Sequence, residues 1–222
     1  MTRTKMAFGL RVGFAVLALL ATTAAQGQVR DMERFAAPPP TADEVFLQLT
    51  DPLGNAPHYC TDIPGWGVIS AGRDGWQTGW PLEAHSCKTQ MPKPQYFIVD
   101  QLVSKAELTG SSGRIRFTRF DLCAEIMQAG GSGQNTVRED AWILLTTCND
   151  GKRQQFDLTA KGELRSRLDP NKCFTIGIEA HEAGNRAPGD PWYQRALTMS
   201  ACADADATRQ AWTLKAPNIA AD

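Results

Sequence analysis

The sequence has no surplus of charge, little histidine and, past its first residues, no long apolar run. Lys and Arg number 23 against 24 Asp and Glu, for a formal net charge of -1, and the pI is near 6.3. A nucleic-acid binder needs a basic surplus or stripe, so no nucleic-acid partner is expected. His58, His85 and His181 are the only histidines and lie far apart, and no two Cys are spaced as a paired-ligand knuckle. No metal and no cofactor is therefore expected. The Ser-rich stretches 110–113 and 131–133 lack the strand-to-helix spacing of a hydrolase elbow and read as turns. Residues 179–182, with His181 between two glutamates, read as a solvated loop. No catalytic constellation stands out, and the chain is not expected to be an enzyme. No stretch keeps apolar residues at helical spacing over three turns, which excludes a helical domain.

What is present begins with an export signal. Arg3, Lys5 and Arg11 precede an apolar run over 12–21, followed by Thr22, Thr23, Ala24, Ala25 and Gly27. Charge, short apolar core and small residues in that order predict a signal peptide over 1–27, cut after Ala25 or Gly27. The run is well short of the ~20 residues that span a bilayer, so no membrane span is expected. Residues 28–44, with Pro38, Pro39 and Pro40 in a row, read as a flexible linker. From 45 onward the runs 45–49, 96–99, 114–117 and 142–145 alternate or stay briefly apolar between Gly, Pro, Asn and Asp. These are strand signals, and the domain is predicted to be all-β. Six Cys, all between Cys60 and Cys202, place it in an oxidising space, secreted or periplasmic.

The Cys fall as three pairs with similar gaps: Cys60 and Cys87, Cys123 and Cys148, Cys173 and Cys202. After each pair comes a Gln, one residue, then an aromatic: Gln95-Tyr96-Phe97, Gln154-Gln155-Phe156 and Gln210-Ala211-Trp212. Val99, Leu158 and Leu214 follow two residues later, as an inward strand face requires. Gly113-Arg114-Ile115-Arg116 and Gly162-Glu163-Leu164-Arg165 repeat before the second and third pairs, and Trp80, Trp142 and Trp192 precede the second Cys of each.

In these residues the chain resembles the ricin-type β-trefoil lectins, whose three units each carry a Cys pair and a Gln-x-Trp-like motif. The resemblance covers about 45–216, in repeats of about 45–100, 101–160 and 161–216, with a tail over 217–222. It implies a pseudo-threefold β-trefoil with Phe97, Phe156 and Trp212 in a shared core. The repeat symmetry implies the bridges Cys60 with Cys87, Cys123 with Cys148 and Cys173 with Cys202. Phe in place of Trp in two units, and longer gaps between paired Cys, depart from the family pattern. Longer gaps are tolerated as loops.

The resemblance also implies a sugar site in each unit: a carboxylate two residues after the first Cys, with a ring and an amide before the second. The first unit fits best, with Asp62, Glu83 and His85, and with Gln95 behind Asp62. Pro94 takes the place of the family's amide before the motif Gln, and an ordinary polar hairpin is the other reading. Glu125 and Thr175 stand at the equivalent places of units in which the remaining pattern is lost. Trp66 and Trp76 join Trp80 in a Gly-rich loop, suited to ligand stacking or to covering the barrel end. The function expected is a secreted carbohydrate-binding, lectin-like module without catalysis, its partner a glycan or polysaccharide. The alternative is a protein-interaction or toxin-accessory trefoil, similar to the lectin-like subunits of cytolethal distending toxins, with the 66–80 loop as interface.

Overall fold

Short apolar runs broken every few residues by turn formers give short strands, here joined into one fourteen-stranded sheet. The structure, a computed structural model, describes residues 40–64, 79–88, 99–127, 136–187 and 189–217. The strands are β1 (Glu44–Leu49), β2 (Tyr59–Asp62), β3 (Trp80–Pro81), β4 (Glu83–Ser86), β5 (Leu102–Ser104), β6 (Arg116–Phe117) and β7 (Leu122–Ile126). They continue as β8 (Ala141–Thr147), β9 (Phe156–Leu158), β10 (Leu164–Ser166), β11 (Lys172–Ile176), β12 (His181–Ala187), β13 (Asp190–Ala201) and β14 (Trp212–Lys215).

Six strands close a barrel. β1 pairs with β14 from Phe46↔Lys215 to Leu49↔Trp212, and with β5 through Phe46↔Leu102. β5 meets β6 at Val103↔Phe117, and β9 meets β10 at Leu164↔Leu158. The bridges Arg114↔Gln155 and Glu163↔Ala211 complete the ring. Closure leaves these strands no free edge. Leu102, Gln155 and Ala211, the residues that pair within each unit, each follow a Gln, so Gln101, Gln154 and Gln210 are equivalent positions.

The first unit's motif is therefore Gln101-Leu102-Val103. Gln95, Tyr96 and Phe97 lie outside the described residues, and the first unit extends through Ser104, beyond the boundary near residue 100. The stretch from Cys87 to Gln101 is longer than its counterparts in sequence, and added length between paired strands costs little closure entropy. Val103, Phe156 and Trp212 are all buried in the core. Phe174 packs edge-on against Phe156 and Trp212, with centroids 6.1 and 5.2 Å away, and its carbonyl accepts from Trp212 Nε1 at 2.9 Å.

The repeated Gly113 and Gly162 have a backbone reason. Both are left-handed, with φ of 62° and 85°. A Cβ would stand 2.4 Å from Phe156 O at Gly113 and 2.7 Å from Trp212 O at Gly162. Each glycine carbonyl accepts from that same motif residue's N–H at 2.8 Å. Only glycine permits both the conformation and the approach.

Three antiparallel hairpins, β2/β4, β7/β8 and β11/β13, cap the barrel. Each carries a disulfide, Cys60–Cys87, Cys123–Cys148 and Cys173–Cys202, with Cα atoms 5.0, 4.9 and 5.0 Å apart. The hairpins join cyclically through Pro81↔Leu144, Trp142↔Thr198 and Ala196↔Glu83. This register corrects the alignment of Trp80, Trp142 and Trp192. Trp142 is the counterpart of Pro81 and Ala196 and is 51% exposed, whereas Trp80 is half-buried against the core.

Candidate functional site

A buried Gln at the end of each unit organises the space beneath its hairpin. Gln101 Nε2 donates to Asp62 Oδ2 at 3.1 Å and to Ser86 O at 3.2 Å, while its Oε1 accepts from Lys88 N at 2.9 Å. Gln154 Nε2 donates to Glu125 Oε2 at 2.7 Å and Thr147 O at 2.9 Å, and its Oε1 accepts from Asn149 N at 2.7 Å. Gln210 does the same with Thr175 Oγ1 at 3.0 Å, Ala201 O at 2.9 Å and Ala203 N at 3.1 Å. Each amide thus uses both ends to fix the residue two after the first Cys against the strand that follows.

Only the first unit places a buried carboxylate there. Asp62 is 1% exposed. Lys88 Nζ stands 3.1 Å from Asp62 Oδ2 and 2.5 Å from Asp100 Oδ2. Asp62 Oδ1 and Asp100 Oδ1 are buried with no hydrogen-bond partner among the described residues. His85 Nδ1 donates to Ser86 O at 3.0 Å, lies 3.6 Å from Asp62 Oδ2, and its ring tilts against Trp192 at 5.3 Å. Glu83 faces Asp62 across the hairpin.

One cation among three carboxyl groups leaves negative charge to be neutralised by protons. Burial, and then the charge of Asp62, push Glu83 up to about 8 against the pull of Lys88. Burial and Asp62 likewise push Asp100 up to about 7. Burial alone would lower Lys88, but Asp100 and Asp62 outweigh it and hold the ammonium above the ordinary lysine range. His85 is pushed down, mainly by burial, which outweighs the attraction of Asp62 and keeps its ring neutral.

No family model and no curated protein matches the chain in sequence. Solved structures match in fold. The mdaA-1 domain is 14% identical with a TM-score of 0.51, over 83% of this chain and 97% of that one. The β-trefoil lectin of the Vibrio vulnificus hemolysin/cytolysin, with N-acetyl-D-lactosamine bound, is 14% identical with a TM-score of 0.45, over 82% and 100%. The designed threefold-symmetric protein ThreeFoil is 12% identical with a TM-score of 0.48, over 78% and 98%. The chain's own closed six-stranded barrel, three capping hairpins and cyclic pairing decide the fold. The chain is a β-trefoil.

The three units of this trefoil differ at their equivalent sites. In the second, Glu125 is already engaged: Oε2 accepts from Gln154, Thr146 and Asn149, and Oε1 pairs with Arg153 at 2.9 Å. In the third, Thr175 donates to Cys173 O at 2.8 Å. Of the residues read from the sequence, Asp62 and His85 come together, and Glu83 stands beside them on the cap. Gln95, Trp66 and Trp76 lie outside the described residues, and the orienting amide expected from Gln95 is supplied by Gln101. Asp100 and Lys88 went unnoticed in the sequence. An Asp-Gln pair before an aliphatic was the available signal, masked by the nearby Gln-x-Phe. Among the described residues no group of His, Cys, Asp and Glu is arranged to hold a metal ion, and no helix is long and apolar enough to cross a membrane.

Proposed function

We propose that the trefoil is an exported, non-catalytic carbohydrate-binding module, with its sugar held at the first unit and its export driven by residues 1–27. The observation that carries this reading is Asp62, two residues after the first Cys, held by Gln101 Nε2 and set beside Lys88 and His85, a group that the other two described units lack. A carboxylate held in this way is the kind of group that accepts from neighbouring sugar hydroxyls. Gln101 fixes Asp62 in advance, so little ordering is lost on binding. His85 and Trp192 add ring surface beside the same carboxylate. Nothing in this set is arranged as a nucleophile and base.

The test is a glycan array with the mature chain, followed by calorimetry on the sugar that binds. Asp62→Asn should weaken binding by ~1.5 to 3 kcal/mol, the range for hydrogen bonds to a charged group, while Glu125→Gln and Thr175→Ala change it little. Equal losses at Asp62 and Glu125, or no glycan bound at all, would overturn the reading.

A further inference from the structure

The cap of the trefoil breaks its own symmetry. The equivalent positions Pro81, Trp142 and Ala196 converge where the hairpins pair cyclically, and one large ring stands between a rigid small residue and alanine. A groove of about 160 Å³ opens there, lined among others by Pro64, Pro81, Glu83, Trp142, His181 and Gln194. Trp142 is half exposed near the start of β8, paired with Thr198 on one side and accepting from Met127 N on the other, and it lines a groove rather than an open face. We propose that this groove is a second carbohydrate site, in which one pyranose lays its apolar face on the Trp142 indole and turns hydroxyls toward Glu83, Gln194 and His181.

Size favours a single ring, because ligand pockets for drug-sized molecules run to ~300 Å³ and more. An aromatic plate with a few convergent polar groups matches a pyranose, which has one less polar face and a rim of hydroxyls. Burial keeps Glu83 protonated at neutral pH, so its carboxyl both donates and accepts. The wall behind is fixed. Arg195 donates from Nη1 to Gly177 O at 3.0 Å and to Ile178 O, from Nη2 to Asn55 Oδ1 at 2.5 Å, and lies over Tyr59 with 5.1 Å to the ring centroid. Such rigidity lowers the ordering cost of binding. Glu83 borders the first-unit cluster, but the groove depends on Trp142 and stands without the Asp62 reading.

The experiment is NMR on isotopically labelled mature chain with its bridges intact, titrated with methyl β-galactopyranoside, methyl β-glucopyranoside and methyl α-mannopyranoside. Each is taken to ~100 mM, far above a weak Kd of ~1 mM. The Trp142 indole N–H resonance, assigned by its loss in Trp142→Ala, should shift saturably with at least one of them. Trp142→Ala should weaken that binding about tenfold or more, Trp142→Phe should keep most of it, and Asp62→Asn should leave the Trp142 shift in place. A Trp142 resonance unmoved by all three glycosides, or an affinity unchanged in Trp142→Ala, overturns the proposal. A response confined to the Gln101 side-chain amide also overturns it, while leaving the first-unit site standing.

Discussion

Lys88 Nζ lies 3.1 Å from Asp62 Oδ2 and also bonds Asp100 Oδ2, so a single buried cation ties together two carboxylates that come from opposite ends of the first unit. The arrangement is tolerable only while the cation is present, since breaking a buried ion pair leaves an uncompensated charge. Lys88→Met should destabilise the fold by ~3 to 5 kcal/mol at neutral pH. The loss should shrink at pH 5, where the stranded carboxylates take up protons instead. Urea midpoints at the two pH values measure both; an equal loss at each would mean that packing, not charge, is what Lys88 supplies.

Folding raises the proton affinity of two acids here, Glu83 from 4.5 to about 8 and Asp100 from 3.8 to about 7. Between those limits the folded chain holds protons that the unfolded chain has released. Stability is then full below the unfolded values and is lost as pH rises through the folded ones. The slope is up to ~1.4 kcal/mol per pH unit for each proton. Denaturant midpoints should fall steadily from about pH 5 to about pH 8, and Glu83→Gln should flatten part of that fall. Midpoints that rise over this window would contradict the assignment.

Trp212 is 2% exposed and packs on Phe174 with its indole N–H satisfied. Trp212→Ala should cost ~3 to 5 kcal/mol, as a cavity and a lost hydrogen bond combine. Phe156→Ala should fall in the same range and Val103→Ala below it, because fewer atoms leave the core. Equilibrium unfolding of the three variants ranks them directly.

Mass analysis of unreduced peptides should recover three bridges, each within one unit, and no free thiol. Each closes a loop of 25 to 29 residues, worth on the order of 3 kcal/mol in the chain-entropy model. Replacing Cys60 and Cys87 together by Ala should therefore lower the unfolding free energy by about that amount. A peptide linking Cys60 to any residue but Cys87 would break the repeat.

The second and third units were readable from sequence because their Gln, aromatic, Cys and Gly recur at nearly fixed offsets. Gly113 and Gly162 recur for a reason that spacing alone hides, the close approach of Phe156 and Trp212 backbones. In the first unit Gln95-Tyr96-Phe97 imitates the motif better in sequence than Gln101-Leu102-Val103, where the strand pairing falls. The same shift hides Asp100 and Lys88, because the bridge that Lys88 Nζ makes between Asp62 and Asp100 follows no local pattern. Trp142 looks equivalent to Trp80 and Trp192 in the sequence, since all three stand at similar distances before a Cys. Strand register, which sequence spacing across loops does not determine, puts it on the cap.

The pairing of β1 with β14, from Phe46↔Lys215 to Leu49↔Trp212, means that the barrel is sealed by the first and last of its described strands. A ribosome makes β1 before every other strand of this sheet and β14 after them. The hairpins are local, whereas closure waits until residue 215 has been made, so a chain still short of that residue holds its barrel open. A chain stopped before residue 212 should carry its bridges and still be cut readily by protease.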